Sequence, residues 1–167
     1  MIIVCGLTRA QEQIKLHGAK SVIGILGPET PHPTYADIDP KNHLRLTFND
    51  INVETAGMVA AQENDVQKLV AFVKNWDRKA PLLIHCWAGI SRSTASAFSA
   101  LCVLKPDADE IHLARQLRQA SPSATPNKLI TAKVDALLKR NGRMSNAIES
   151  IGRGTDAFEG KPFMLDF

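Results

Sequence analysis

The chain has 167 residues, 44% apolar and 22% charged, an ordinary balance for one globular domain with a core of its own. A net charge of +3 suits an anionic ligand but is too small to argue for nucleic acid, and no window approaches a membrane span. Three cysteines, Cys5, Cys86 and Cys102, make no disulfide framework, and "MIIVCGL" lacks the length and basic lead of a signal peptide, so the chain reads as a cytoplasmic protein with reduced thiols.

In chain order, "IIVCGL" (2 to 7) reads as a short strand. "RAQEQIKLHGAK" (9 to 20) has helical character, with Gly18 placed as its stop. "SVIGIL" (21 to 26) is a β-branched run bounded by "GP" and reads as a buried strand. Residues 27 to 42 hold four prolines and read as a loop; "HLRLTF" (43 to 48) alternates apolar and polar as a strand does. A polar loop containing Gly57 follows. Val66, Leu69, Val70 and Val73 then repeat at helical spacing, and Asp65 suits the start of that helix.

"PLLIH" (81 to 85) is a further strand, and a helix rich in Ala and Ser is expected from Arg92 through "STASAFSALCVL". "PDADEIHLARQLRQA" carries Asp107 and Glu110 in a capping-box spacing, with Asp107 as the cap. "TPNKLITAKVDALLKR" offers Thr125 as a cap with Pro126 in the first turn. Eight basic residues between Lys105 and Arg143, against four acidic ones, read as a solvated helical surface. The order implies one α/β domain: a central, mostly parallel sheet of four to five strands flanked by helices.

The chemistry concentrates in "HCWAGISRST", residues 85 to 94. A strand, a tight loop and a helix start make an anion cradle, because loop N–H groups converge and the helix N-terminus adds positive partial charge. Gly89 permits the turn. A thiol beside a helix N-terminus and an arginine has a lowered pKa, which makes Cys86 a candidate nucleophile. Arg92 has a fork that binds two phosphate oxygens at once. Trp87, Ala88, Gly89, Ile90, Ser91 and Arg92 would supply the backbone donors. Ser93 can donate to the sulfur as it leaves, and His85 can orient the loop through its ring. A free cysteine is usually just a buried apolar residue, and Cys5 and Cys102 read that way; for Cys86 the arginine and serine after it weigh the other way. His17, His32, His43 and His112 are scattered without ligand spacing.

"HCWAGISRS" matches the H-C-x-x-G-x-x-R-[ST] signature of the protein tyrosine phosphatase superfamily. The size, and "LHGAKSVIGIL" near the start, resemble its compact dual-specificity-like branch in a bacterial-type form. "SPSATPN" resembles the segment before the family's last helix, with Pro126 and Asn127 matching, while Ser121 stands where members often carry arginine. The resemblance covers residues 1 to 140, taken as the phosphatase domain; residues 141 to 167 fall outside it and are expected to dock on that domain as a tail.

The resemblance implies a cysteinyl-phosphate intermediate and an aspartic acid that first protonates the leaving oxygen and then acts as base on water. The family places this acid on a mobile loop about three dozen residues before the cysteine. Asp50 lies 36 residues before Cys86 and is the first choice. Asp37, Asp39 and Glu54 are the other candidates, and by itself Asp50 would read as a turn residue. No metal or cofactor is implied. The expected partner is a phosphorylated protein or a small phosphate ester, with no nucleic acid and no membrane. A loop without lysine leans away from inositol lipids, and the compact frame implies a shallow pocket that would accept phosphotyrosine and also phosphoserine or phosphothreonine. Two alternatives stay open: an inactive phosphate-binding module of the same fold, and a phosphatase acting on a non-protein phosphate ester.

Overall fold

A computed structural model describes residues 1–167 as five strands and six α-helices. The strands are β1 (Ile2–Gly6), β2 (Ser21–Leu26), β3 (His43–Thr47), β4 (Leu82–Cys86) and β5 (Phe163–Leu165). The helices are α1 (Ala10–His17), α2 (Glu63–Asn75), α3 (Arg92–Leu104), α4 (Glu110–Ala120), α5 (Lys128–Leu137) and α6 (Arg143–Ile151). The sheet order is β3-β2-β4-β1-β5; β1 to β4 run parallel and β5 is antiparallel to β1.

Both faces of the sheet are covered, which is why its central strands read as unbroken apolar runs. Side chains alternate across a strand. Ile2, Val4, Ile23, Ile25, Leu82, Ile84 and Cys86 join the larger core with α2 to α6, while Ile3, Cys5, Val22 and Leu83 join a smaller one with Ala10, Ile14, Tyr35 and Ile38. Helix α3 lies deepest: every residue from Arg92 to Cys102 is buried. Its small side chains let neighbours approach, and Phe98, fully buried, fills the remaining space. Removing that ring in Phe98→Ala costs roughly 3–5 kcal/mol.

Helix ends follow local capping chemistry. Gly18 takes the left-handed conformation (φ 65°) that stops α1. Gln62 and Asp65 form a reciprocal capping box at α2. Two caps differ from the sequence reading. Helix α4 is capped by Asp109, which accepts from the Ile111 N–H, rather than by Asp107. Glu110 is thereby freed to pair with Arg140 (2.8 Å) and Arg143 (3.1 Å). Helix α5 is capped by Asn127, which accepts from the Ile130 N–H, rather than by Thr125; the Thr125 hydroxyl is already committed, accepting from the Gly154 N–H at 3.1 Å and donating to the Ser123 carbonyl.

The basic run is not a uniformly solvated surface either. Arg140 is buried between Glu110 and the Cys102 carbonyl. Arg118 donates to the carbonyls of Ala124, Ile151 and Gly152, tying α4 to the turn that follows it and to the end of α6. Beyond residue 140, Asp135 caps α6 by accepting from the N–H groups of Gly142 and Met144, both at 2.7 Å. Met144, Ala147 and Ile148 then enter the main core, and β5 extends the sheet beside β1.

Candidate active site

Strand β4 ends at Cys86 and α3 begins at Arg92, so residues 87–91 must turn back within one short loop. The carbonyls of that loop are bound from outside. Trp87 O accepts from Leu7 N (3.1 Å), Ala88 O from Gly160 N (2.8 Å), Ile90 O from Thr125 N (2.9 Å), and Ser91 O from Ala95 N (3.0 Å) and Asn127 N (3.3 Å). No peptide in the chain is cis. In a trans peptide the N–H points opposite to the preceding carbonyl, so the amides of residues 88, 89, 91 and 92 are turned inward together. One already reaches the sulfur: Gly89 N donates to Cys86 Sγ at 3.3 Å.

Gly89 is required twice over. Its φ is +72°, and a Cβ there would lie 2.5 Å from Gly6 N and 2.6 Å from Cys5 C. The loop therefore backs directly onto the end of β1. Gly160 does the same from outside, since a Cβ on it would meet Gly89 O at 2.8 Å. Segment 152–160 is a strap across the back of the loop, fixed also by the bond from Thr155 N to Pro122 O.

Cys86 is buried, with Ser93 Oγ at 3.2 Å from its sulfur. Arg92 is also buried. Its Nη1 donates to the Phe48 carbonyl (2.8 Å), while its Nε, 3.8 Å from Asp50 Oδ2, makes no hydrogen bond. A buried cationic donor left open beside inward-facing amides is what an oxyanion would satisfy. Asp50 sits at this rim. Its Oδ1 accepts from Ser91 Oγ (2.6 Å) and from Asn127 Nδ2 (2.8 Å). The fold thus gathers Cys86, Gly89, Ser91, Arg92, Ser93 and Asp50 in one place. It does not bring the other acids there. Asp37 accepts from Gln11, Asp39 caps a short turn with Lys41, and Glu54 lies on an exposed stretch of the loop after β3.

His85 lies on the opposite side of β4 from Cys86, as strand alternation requires. Its Nε2 is 3.0 Å from Tyr35 Oη, so it braces the loop between β2 and β3 rather than the inside of the cradle. Burial pushes its pKa down to about 4, and that of nearby His43 likewise. Cys5 and Cys102 are buried, with thiols pushed up to about 12 mainly by burial. Trp87 is 49% exposed and meets Phe158 of the strap edge-on at 5.6 Å.

The sequence marks Asn127 only as a match to the family's segment before its last helix, and gives no sign that Asn127 and Ser91 both hold Asp50. The available signal for Asn127 was its place directly before an amphipathic run, where Asn is a favoured cap.

No family model matches the chain, and no curated protein matches it by sequence. Solved structures do match it. Human DUSP28 superposes with a TM-score of 0.62 at 16% identity, covering 90% of this chain and 95% of that one. A human tyrosine phosphatase-like serine/threonine/tyrosine-interacting protein gives 0.61 at 17%, covering 84% and 93%. PTPMT1 in complex with PI(5)P gives 0.59 at 14%, covering 84% and 91%. The fold is that of the cysteine phosphatases in their compact, dual-specificity form.

Proposed function

We propose that the chain is a phosphatase that hydrolyses phosphate monoesters of proteins, phosphotyrosine first, through a cysteinyl-phosphate intermediate. One observation carries this reading: the amide of Gly89 and the hydroxyl of Ser93 converge on Cys86 Sγ while Asp50 stands beside Arg92 at the same rim. A binding module needs the cradle, but it has no use for a proton donor held at its edge.

In this reading the substrate's phosphoryl group enters the cradle, its oxygens taken by the loop amides and by the open edge of the Arg92 guanidinium. The Cys86 sulfur attacks phosphorus; the S–P bond forms as the ester P–O bond breaks. Asp50 gives its proton to the departing oxygen. A water then attacks the same phosphorus and passes a proton to Asp50. The S–P electron pair returns to Cys86, where the Ser93 hydroxyl donates to the sulfur. Ser91 and Asn127 keep the Asp50 carboxyl facing the cradle through both steps. No step calls for a metal or cofactor, and the protein is taken as cytoplasmic.

The absence of lysine between Cys86 and Arg92 favours protein phosphoesters over inositol lipids. Turnover assays with p-nitrophenyl phosphate, a phosphotyrosyl peptide and PI(5)P test the reading. The first two should be hydrolysed and Cys86→Ser should abolish both. Faster turnover of PI(5)P than of the peptide would move the substrate class to lipids, and no turnover of any ester would leave only a phosphate-binding module.

A further inference from the structure

A cleft of about 610 Å³, lined mainly by polar and charged residue types but with apolar surface among them, opens beside the phosphate loop, and the chemistry above does not use it. Ile90 and Ser91 of the loop itself are among its walls. The Ser91 hydroxyl donates to Asp50, so the cleft adjoins the place where the proton donor for the leaving oxygen is held. Asn52, on the Asp50 loop, and Lys128, at the start of α5, line it together; the Lys128 N–H donates to Asn52 Oδ1 at 2.8 Å. Glu149 of α6 and the strap residues Arg153 and Asp156 also line it.

The charges are of both signs and they differ in how firmly they are held. Arg153 and Asp156 pair within the strap at 2.5 Å. Lys128 and Glu149 stand 3.8 Å apart, with both side chains more than 60% exposed. A loose, exposed pair of this kind contributes little and exchanges readily for a charge on a ligand. An acyl chain would find few apolar neighbours here. An extended polypeptide would find donors, acceptors and charges along its length.

We propose that this cleft holds the segment of a phosphorylated protein adjacent to its phosphorylated residue, with Lys128 taking an acidic side chain of that segment. The proposal rests on the phosphatase reading and deepens it by naming where the segment beside the phosphorylated residue sits and a residue that selects it.

Binding to the Cys86→Ser protein separates the two, because it does not depend on turnover. Fluorescent phosphotyrosyl peptides with acidic or with lysine flanks are titrated, and inorganic phosphate is used as the competitor that reports on the cradle alone. The acidic peptide should bind at least about tenfold more tightly than the lysine one, and Lys128→Glu should erase or reverse that preference. A bulky side chain in the cleft, Ala157→Trp, should weaken both peptides by about tenfold relative to phosphate. Lys128 and Ala157 are exposed, and unchanged melting temperatures would verify that both variants fold. If phosphate binds but the peptide-to-phosphate ratio stays the same in Ala157→Trp, or the flank preference survives Lys128→Glu, the cleft proposal is wrong and the phosphatase reading stands. If the folded protein binds neither phosphate nor peptide, both fall.

Discussion

Asn127 Nδ2 lies 2.8 Å from Asp50 Oδ1, joining two residues that are 77 positions apart in the chain. The same side chain also donates to Ile51 O (3.0 Å), and its Oδ1 caps α5 through the Ile130 N–H (3.0 Å). A helix cap and the aim of the Asp50 carboxyl thus depend on one amide group. Asn127→Asp separates the two roles: it keeps an oxygen for the cap but loses the donor and sets a like charge against Asp50. We expect kcat to fall about tenfold or more, and the melting temperature to fall as well, because the new carboxylate is buried against Asp50 while the cap oxygen is kept. Asn127→Ala should lower both, the cap alone being worth ~1 kcal/mol. Equal kcat in wild type and Asn127→Asp would remove Asn127 from the positioning of Asp50.

Asp50→Asn should lower kcat by roughly two to four decades on a substrate with a poor leaving group. The loss should shrink on an aryl ester whose leaving group needs little protonation. Glu54→Gln, changed on the exposed part of the same loop, should be close to wild type. A larger defect in Glu54→Gln than in Asp50→Asn would reassign the acid.

Arg92→Lys should impair phosphate binding and turnover strongly. A lysine ammonium is a point charge and cannot both hold the Phe48 carbonyl and present a second edge to phosphate. Inhibition by vanadate or phosphate reads the binding part directly, and an unchanged inhibition constant would rule out the fork.

Gly89→Ala should disable the cradle without removing any chemical group. The new Cβ would meet the backbone of Cys5 and Gly6 from a left-handed conformation, so the loop has to shift off β1. Phosphate binding should drop together with kcat/KM. A variant as active as wild type would mean that the close approach to β1 is dispensable.

Stability should fall on mild acidification. His43 and His85 are both held neutral by burial, with pKa values near 4 against 6.5 for the free side chain; Arg45 adds to the depression at His43, while at His85 a backbone hydrogen bond at Cys86 partly offsets it. The unfolded chain therefore takes up protons first. The contribution is fully present above about pH 6.5 and is lost as the pH drops toward 4. For fully buried His85 this amounts to something on the order of 3 kcal/mol. Melting temperatures measured between pH 7 and pH 4 should decline, and His85→Gln should decline less steeply. Parallel curves would mean that His85 does not titrate between the two states.

Much of the frame was legible because its signals are local. "SVIGIL" coincides with β2, the valine stripe with α2, and Arg92 with the first residue of α3. The placement of Cys86 and Arg92 at the two ends of one loop was legible for the same reason, since strand, loop and helix start are contiguous. Asp50 depended on a spacing lent by the family resemblance. What closes the site is long-range and left no local mark: the grip of Gly160 on Ala88, the reach of Asn127 to Asp50, and the contact of Arg92 with Phe48. The caps of α4 and α5 were misplaced by two residues each because Asp107 and Asp109, and Thr125 and Asn127, compete for the same end, and tertiary contacts decide between them.

The central claim is that phosphorus passes through the Cys86 sulfur. Rapid quenching of Asp50→Asn during turnover, followed by peptide mass spectrometry, tests it most directly, since loss of the acid/base group should slow hydrolysis of the intermediate. A single phosphoryl adduct is expected on the peptide containing Cys86, absent from Cys86→Ser. Turnover with no such adduct, or Cys86→Ser retaining activity within tenfold of wild type, would contradict it.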